Sequence, residues 1–226
     1  MKVLLLADRE ERALWDFYDP GRTEGVDLII SCGDLDADYL EFLVTMVSCP
    51  LLYVRGNHDR DYDRKPPRGC VDIDDTVYDF RGLRILGLGG SMRYKPGSDM
   101  YTEAEMQRRI WKMNPRIALT NGFDLLVTHA PAKGYGDIPD LPHQGFACFN
   151  SLMARYQPRY MAFGHVHQEY GNFRREYEHP SGARLINACG SYLLEIGEEE
   201  HPPRGKTGSG LYDLYISLME RKGSPY

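Results

Sequence analysis

A chain of 226 residues, 27% charged and 42% apolar, is long enough for a substantial core, and it has no apolar run near the roughly 18 residues that would span a bilayer. Its formal charge of −6 disfavours non-specific binding to a phosphate backbone, which depends on Lys and Arg neutralising phosphates, so a small substrate is expected rather than a nucleic acid polymer or a membrane. Five cysteines without a Cys-x-x-Cys pair read as reduced thiols with neither zinc nor disulfide spacing, and the run Val3-Leu4-Leu5-Leu6-Ala7 is too short for a signal-peptide core, which points to the cytoplasm.

Residues 2–7 read as a buried strand. The segment 8–18 opens on Asp8-Arg9-Glu10-Glu11 and carries Leu14, Phe17 and Tyr18 at helical spacing, which predicts a first helix. Residues 26–31 form a second strand closed by Cys32-Gly33-Asp34. Residues 38–47 then place Tyr39, Leu40, Leu43, Val44 and Val47 on one helical face. A third strand, 50–54, runs into Arg55-Gly56-Asn57-His58-Asp59. Strands joined through short linkers and helices imply parallel pairing with right-handed crossovers, and in such sheets ligands gather at the strand carboxyl ends, where Asp8, Asp34 and Asn57 fall.

From residue 76 the pattern becomes antiparallel, with a hairpin of 76–80 and 83–88 around Arg81-Gly82. Thr102 followed by Glu105 is an N-cap signature for a helix to about Met113. Residues 124–128 read as a strand ended by His129, 146–156 as a helix, and 160–163 as a strand ended by Gly164-His165-Val166-His167. Further strands are expected near 172–177, 184–188 and 211–218, with an acidic, Pro/Gly-rich loop at 198–210. No repeat, linker or boundary is visible, so residues 1–226 are expected to form one domain.

Taken singly, these groups are ordinary. Asp34 after glycine can cap the following helix, Asn57 can sit in a turn at positive φ, and Glu10 can be a first-turn helix acid. A single strand-end histidine such as His129 is usually a satisfied polar residue. Five strand ends bearing Asp8, Gly33-Asp34, Gly56-Asn57-His58-Asp59, His129 and Gly164-His165-Val166-His167 in that order are more specific. The set resembles the calcineurin-like metallophosphoesterases, whose pattern is Asp-x-His, Gly-Asp-x-x-Asp, Gly-Asn-His-Asp/Glu, a lone His and Gly-His-x-His.

The resemblance implies an α/β fold, a four-layer α/β/β/α sandwich of two mixed sheets flanked by helices. It implies two divalent ions, manganese first among manganese, iron, zinc and magnesium. Asp8, Asp34 and His167 would hold one ion, and Asp34, Asn57, His129 and His165 the other. A hydroxide shared between them would attack phosphorus, with His58 giving a proton to the leaving oxygen and Asp59 orienting His58. Two positions depart from the pattern. Glu10 stands where the family has the His of Asp-x-His, and is expected to reach the first ion directly or through water. Three residues after Asp34 stands Ala37, flanked by Asp36 and Asp38, so that family acid is not assigned.

Arg93, Tyr94 and Tyr101 in one Gly/Pro-interrupted loop and His143 in another are expected substrate contacts, since Arg pairs with a phosphate oxygen and Tyr stacks on a base. The resemblance thus implies a phosphoesterase, with a cyclic or short nucleotide-type diester preferred on the Tyr-rich loops. The alternatives are a phosphomonoesterase and a non-catalytic scaffold of the same fold. The intact Gly-Asn-His-Asp quartet disfavours the scaffold.

Overall fold

The computed structural model describes residues 1–170 and 173–221. The chain runs β1 (Lys2–Ala7), β2 (Leu28–Ser31), α1 (Ala37–Val47), β3 (Leu51–Tyr53), β4 (Val71–Asp72), β5 (Thr76–Phe80), β6 (Leu83–Leu88), β7 (Ser91–Met92), β8 (Met100–Tyr101), α2 (Glu103–Leu119), β9 (Leu125–Thr128), α3 (Ala147–Tyr156), β10 (Tyr160–Phe163), β11 (Glu176–Glu178), β12 (Arg184–Asn187), β13 (Gly190–Glu195) and α4 (Gly210–Arg221). One sheet has the order β13-β1-β2-β3-β4 and the other β11-β12-β10-β9-β6-β5, with β7-β8 as a separate pair. Central strands are parallel, and β13, β11 and β5 add antiparallel edges, so both large sheets are mixed.

The layering follows from side-chain alternation. In β1, Val3, Leu5 and Ala7 face the second sheet with Leu28, Ile30, Ile85, Leu125 and Val127, while Leu4 and Leu6 face α1 with Tyr39, Leu40 and Leu43. The outer face of the second sheet, Leu86, Leu126 and Met161, packs on α2 and α3 through Met106, Ile110, Phe149 and Met153. The result is helix, sheet, sheet and helix, the four-layer α/β/β/α architecture. No helix among the described residues is long and apolar enough to cross a membrane.

Four local expectations are corrected. Residues 8–18 are not a helix but a 3-10 turn, Arg12–Leu14, followed by another at Pro20–Thr23. Leu14 is buried and Tyr18 meets the Phe42 ring at 5.6 Å, but Phe17 is 67% exposed, so the apparent stripe is broken and does not hold a helix against the sheet. Residues 211–218 are not a strand but lie in α4, where Tyr212 and Ile216 are buried four apart, the helical period. Helix α2 continues past Met113 to Leu119 through Pro115, with Ile117 buried to anchor the last turn. The strand expected near 172–177 is Glu176–Glu178, and Asn172 lies outside the described residues. Strand β13 was not expected; it pairs with all of β1, Lys2 opposite Glu195 and Ala7 opposite Gly190.

Candidate metal centre

The ends of β1, β2, β3, β9 and β10 converge between the sheets. Asp8, Asp34 and His165 each follow a strand at positive φ, 62°, 57° and 69°, a region costing a non-glycine residue roughly 1–2 kcal/mol. That backbone turns each side chain back across the sheet ends. The β2 and β3 loops touch: Gly33 is at φ 95°, and a Cβ there would lie 2.4 Å from the Gly56 nitrogen. Asp59 ties the same loops together, its Oδ2 accepting the amides of Asp34 at 2.8 Å and Gly56 at 2.7 Å.

Four ligand-type atoms face one point. His129 Nε2 lies 3.2 Å from Asp34 Oδ2, 3.2 Å from Asn57 Oδ1 and 3.1 Å from His165 Nδ1. The far nitrogen of each ring donates to a backbone carbonyl, His129 Nδ1 to Cys32 at 2.9 Å and His165 Nε2 to Pro142 at 2.7 Å. Those bonds fix the tautomers, so the lone pairs of Nε2 and Nδ1 turn inward beside a carboxylate and an amide oxygen. Acceptors aimed at one another are repulsive unless a proton or a metal cation lies between them. The donor set, oxygen with imidazole and no thiolate, suits a divalent first-row ion, and Asp34, His129 and His165 offer ligand atoms within 4.8 Å of each other.

At the neighbouring position the Asp8 side chain is fully buried, accepts the His165 amide on both oxygens at 2.8 and 2.9 Å, and lies 3.7 Å from His167 Nε2. Glu10 is not brought to it. Glu10 is exposed, and its charge falls with that of Glu11 on the buried Tyr39 hydroxyl.

The other expected residues divide. His58 is exposed at the rim, its amide donating to Asp34 Oδ1 at 2.7 Å. No hydrogen bond joins Asp59 to His58 among the described residues; Asp59 instead accepts amides of the β2 and β3 loops. Asp36, not Asp34, caps α1, by accepting the Asp38 amide at 2.8 Å, and Asp38 pairs with Lys65. His143 stands at the site, its ring 5.4 Å from His165 and 4.8 Å from Tyr170. Arg93 donates to the Met100 carbonyl and pairs with Glu105 at 3.0 Å. Tyr101 lies under the Arg109 guanidinium at 4.3 Å, and Tyr94 meets Lys95 at 4.9 Å. The carbonyls of Cys32 and Pro142 were beyond sequence reasoning, because a backbone acceptor leaves no residue-type signal.

Burial alone would raise the Asp34 carboxyl, but the His129 imidazole beside it and the His58 amide hold it well below the usual carboxylate range. Burial would lower His129, and the Asp34 charge overrides it, pushing the ring up to about 10. Burial and then the His129 charge push His165 down to about 3. Burial, reinforced by the Asp34 charge, raises Asp59 to about 6. Protein without bound ions therefore carries a proton on His129 at neutral pH, and a cation entering at Nε2 must displace it. Manganese uptake at the His129 site at pH 7 is expected to release about one proton, and the affinity of that site to rise roughly tenfold per pH unit toward 10. Calorimetry in buffers of different ionisation enthalpy checks this, and heats independent of buffer would contradict it. The Asp34–His129 pair stabilises the ion-free fold above the ordinary carboxylate range of ~4, and its contribution declines as pH rises from ~6.5 to about 10.

Known proteins offer the same family. A human and a mouse metallophosphoesterase domain-containing protein 1 are each 24% identical over 68% of this chain and 58% of their own length. A UPF0046 protein of Caenorhabditis elegans is 27% identical over 76% of this chain and 65% of its own, and the chain spans 28% of another. An uncharacterised Haemophilus influenzae protein is 27% identical over 76% of this chain and 87% of its own. Among solved structures, Chaetomium thermophilum Vps29 covers 88% of this chain and 79% of that one at 14% identity, with a TM-score of 0.39. A diphosphatase of the PhnP family reaches a TM-score of 0.33. At those scores neither bears on function. The family described as calcineurin-like phosphoesterase matches residues 7–169. Every ligand-bearing strand end lies inside that stretch, from the residue before Asp8 to two past His167, and the chain belongs to the calcineurin-like phosphoesterase family.

Proposed function

We propose that the protein is a metal-dependent phosphodiesterase acting on a small nucleotide-type diester in the cytoplasm, where five free cysteines suit a reducing compartment. The observation that carries this is the pair of inward-turned imidazoles facing Asp34 and Asn57, with His58 at the rim of the same cluster. Asp34, Asn57, His129 and His165 would hold one divalent ion, and Asp8, Asp34 and His167 a second, with manganese preferred for this hard oxygen and imidazole set. When bound, the ions supply Lewis acidity at the phosphoryl oxygens and a water of lowered pKa.

The chain's own residues do the rest. The His58 backbone is tied to the Asp34 carboxylate, so its imidazole projects from a loop fixed relative to the ion sites, where it can give a proton to the departing oxygen. A cavity of about 400 Å³ beside His58 receives that group, lined by Asp34, Asp36, Asp59, Asp61 and Lys65. This acidic wall favours a diester monoanion over a monoester dianion. So does the engagement of Arg93 by Glu105, which removes the guanidinium that a dianion would have needed.

His58→Ala is expected to lower kcat for an alkyl-leaving diester by roughly 10²- to 10⁴-fold and for bis-p-nitrophenyl phosphate by less, because nitrophenolate departs without a proton. Manganese binding should be retained. Equal rates for parent and variant on both esters would overturn the assignment, and p-nitrophenyl phosphate cleaved faster than the bis ester would favour a monoesterase.

A further inference from the structure

A second cavity, about 330 Å³, has His167 in its wall. Its lining is aromatic: Tyr170, Phe173 and Tyr177, with Arg174. Tyr170 is 47% exposed, its ring 5.4 Å from His167 and 4.8 Å from His143, so three rings line the path from the cavity to the ligand His165. The Arg174 guanidinium covers the Tyr177 ring at 5.2 Å. Polar side chains in the wall are engaged by backbone. Asp137 accepts the amides of Gly134 at 2.8 Å and Gly145 at 3.2 Å, and Asn187 donates to the Val166 carbonyl and accepts the Cys189 amide, both at 2.9 Å. The Phe173 ring is likewise covered by Arg175 at 5.0 Å, so what remains for a ligand is the exposed Tyr170 ring and the exposed Arg174 guanidinium plane. Such a surface takes planar aromatic groups by stacking and does not read their edges.

Resting on the phosphodiesterase reading, we propose that this cavity holds the nucleobase of the half of the diester that keeps the phosphoryl group, while the departing alcohol leaves along the His58 cavity. The two cavities share no lining residue, one carrying Asp34 and His58 and the other His167, and the proton donor belongs to the first. The bond broken is therefore the P–O bond on the His58 side. A water oxygen joins phosphorus and loses a proton to solvent, the departing oxygen takes the His58 proton, and the products are a nucleoside monophosphate and an alcohol. Recognition by stacking predicts tolerance of base identity.

The test compares thymidine 5′-(p-nitrophenyl phosphate) with methyl p-nitrophenyl phosphate on the manganese-loaded protein. The two share a leaving group and differ in the retained half. The parent should favour the thymidine ester in kcat/KM by about tenfold or more. That ratio should fall by about the same factor in Tyr177→Ala, survive in Tyr177→Phe and fall in the exposed variant Tyr170→Ala, should Tyr177→Ala fold poorly. A parent ratio near one, or a ratio indifferent to both alanine variants, overturns the inference while turnover of the methyl ester leaves the phosphodiesterase reading standing. If neither ester is cleaved, that reading fails, and calorimetry decides the cavity: thymidine 5′-phosphate bound about tenfold more weakly by Tyr170→Ala, with inorganic phosphate unaffected, supports it, and equal loss for both overturns it.

Discussion

Replacing Asp34 by asparagine is expected to lower kcat/KM by at least ~10³-fold and to remove both ions. The expected loss exceeds the 10- to 100-fold typical of a group that only supports a ligand, because this carboxylate would belong to both ion sites. Its Oδ1 accepts the His58 amide at 2.7 Å and its Oδ2 faces His129 Nε2 at 3.2 Å. An amide has one acceptor. With the oxygen kept on His58, the NH₂ group points at His129 Nε2 and puts a donor where ligand lone pairs converge. Elemental analysis for manganese beside the diester assay checks the expectation, and a variant that folds and still carries both ions would refute it.

Gly33→Ala is expected to lower stability by ~2–4 kcal/mol, or roughly 5–15 °C in Tm, and to weaken the Asn57 site in whatever fraction folds. Two costs add. The residue sits at φ 95°, which disfavours any side chain, and its Cβ would meet the Gly56 nitrogen at 2.4 Å and Cα at 2.8 Å. The neighbour cannot yield cheaply, because the Gly56 amide is held by Asp59. A thermal melt checks the stability. A midpoint within 2 °C of the parent, with manganese binding intact, would show that the two loops are not locked together as described.

What the sequence disclosed, and what it hid, follows one physical distinction. Asp8, Asp34, Asn57, His129, His165 and His167 were legible because each directly follows or closely trails an apolar strand, and a parallel sheet gathers such ends whatever the loops do. Loop conformation is set by contacts distant in sequence, and there the reading slipped. Glu10 is drawn toward the first ion by the Asp-x-His spacing alone, and its side chain is exposed. Asp59 was paired with its neighbour His58, although its oxygen serves amides of two different loops. Arg93, Tyr94 and Tyr101 have the chemistry to bind a nucleotide but are engaged by Glu105, Lys95 and Arg109. The aromatic wall instead comes from Tyr170, Phe173 and Tyr177, on a segment whose sequence carries no motif, while His143, chosen on chemistry alone, does stand beside it. In the second half, α4 was hidden because Leu211, Leu214, Tyr215 and Leu218 are exposed and blur the period set by the buried Tyr212 and Ile216.

Whether two ions share Asp34 is decided by a manganese titration in the calorimeter, with diester hydrolysis followed in the same samples. Two ions per chain are expected, with hydrolysis that appears only as the second site fills. Binding of at most one ion, or hydrolysis that survives exhaustive chelation, would contradict this expectation.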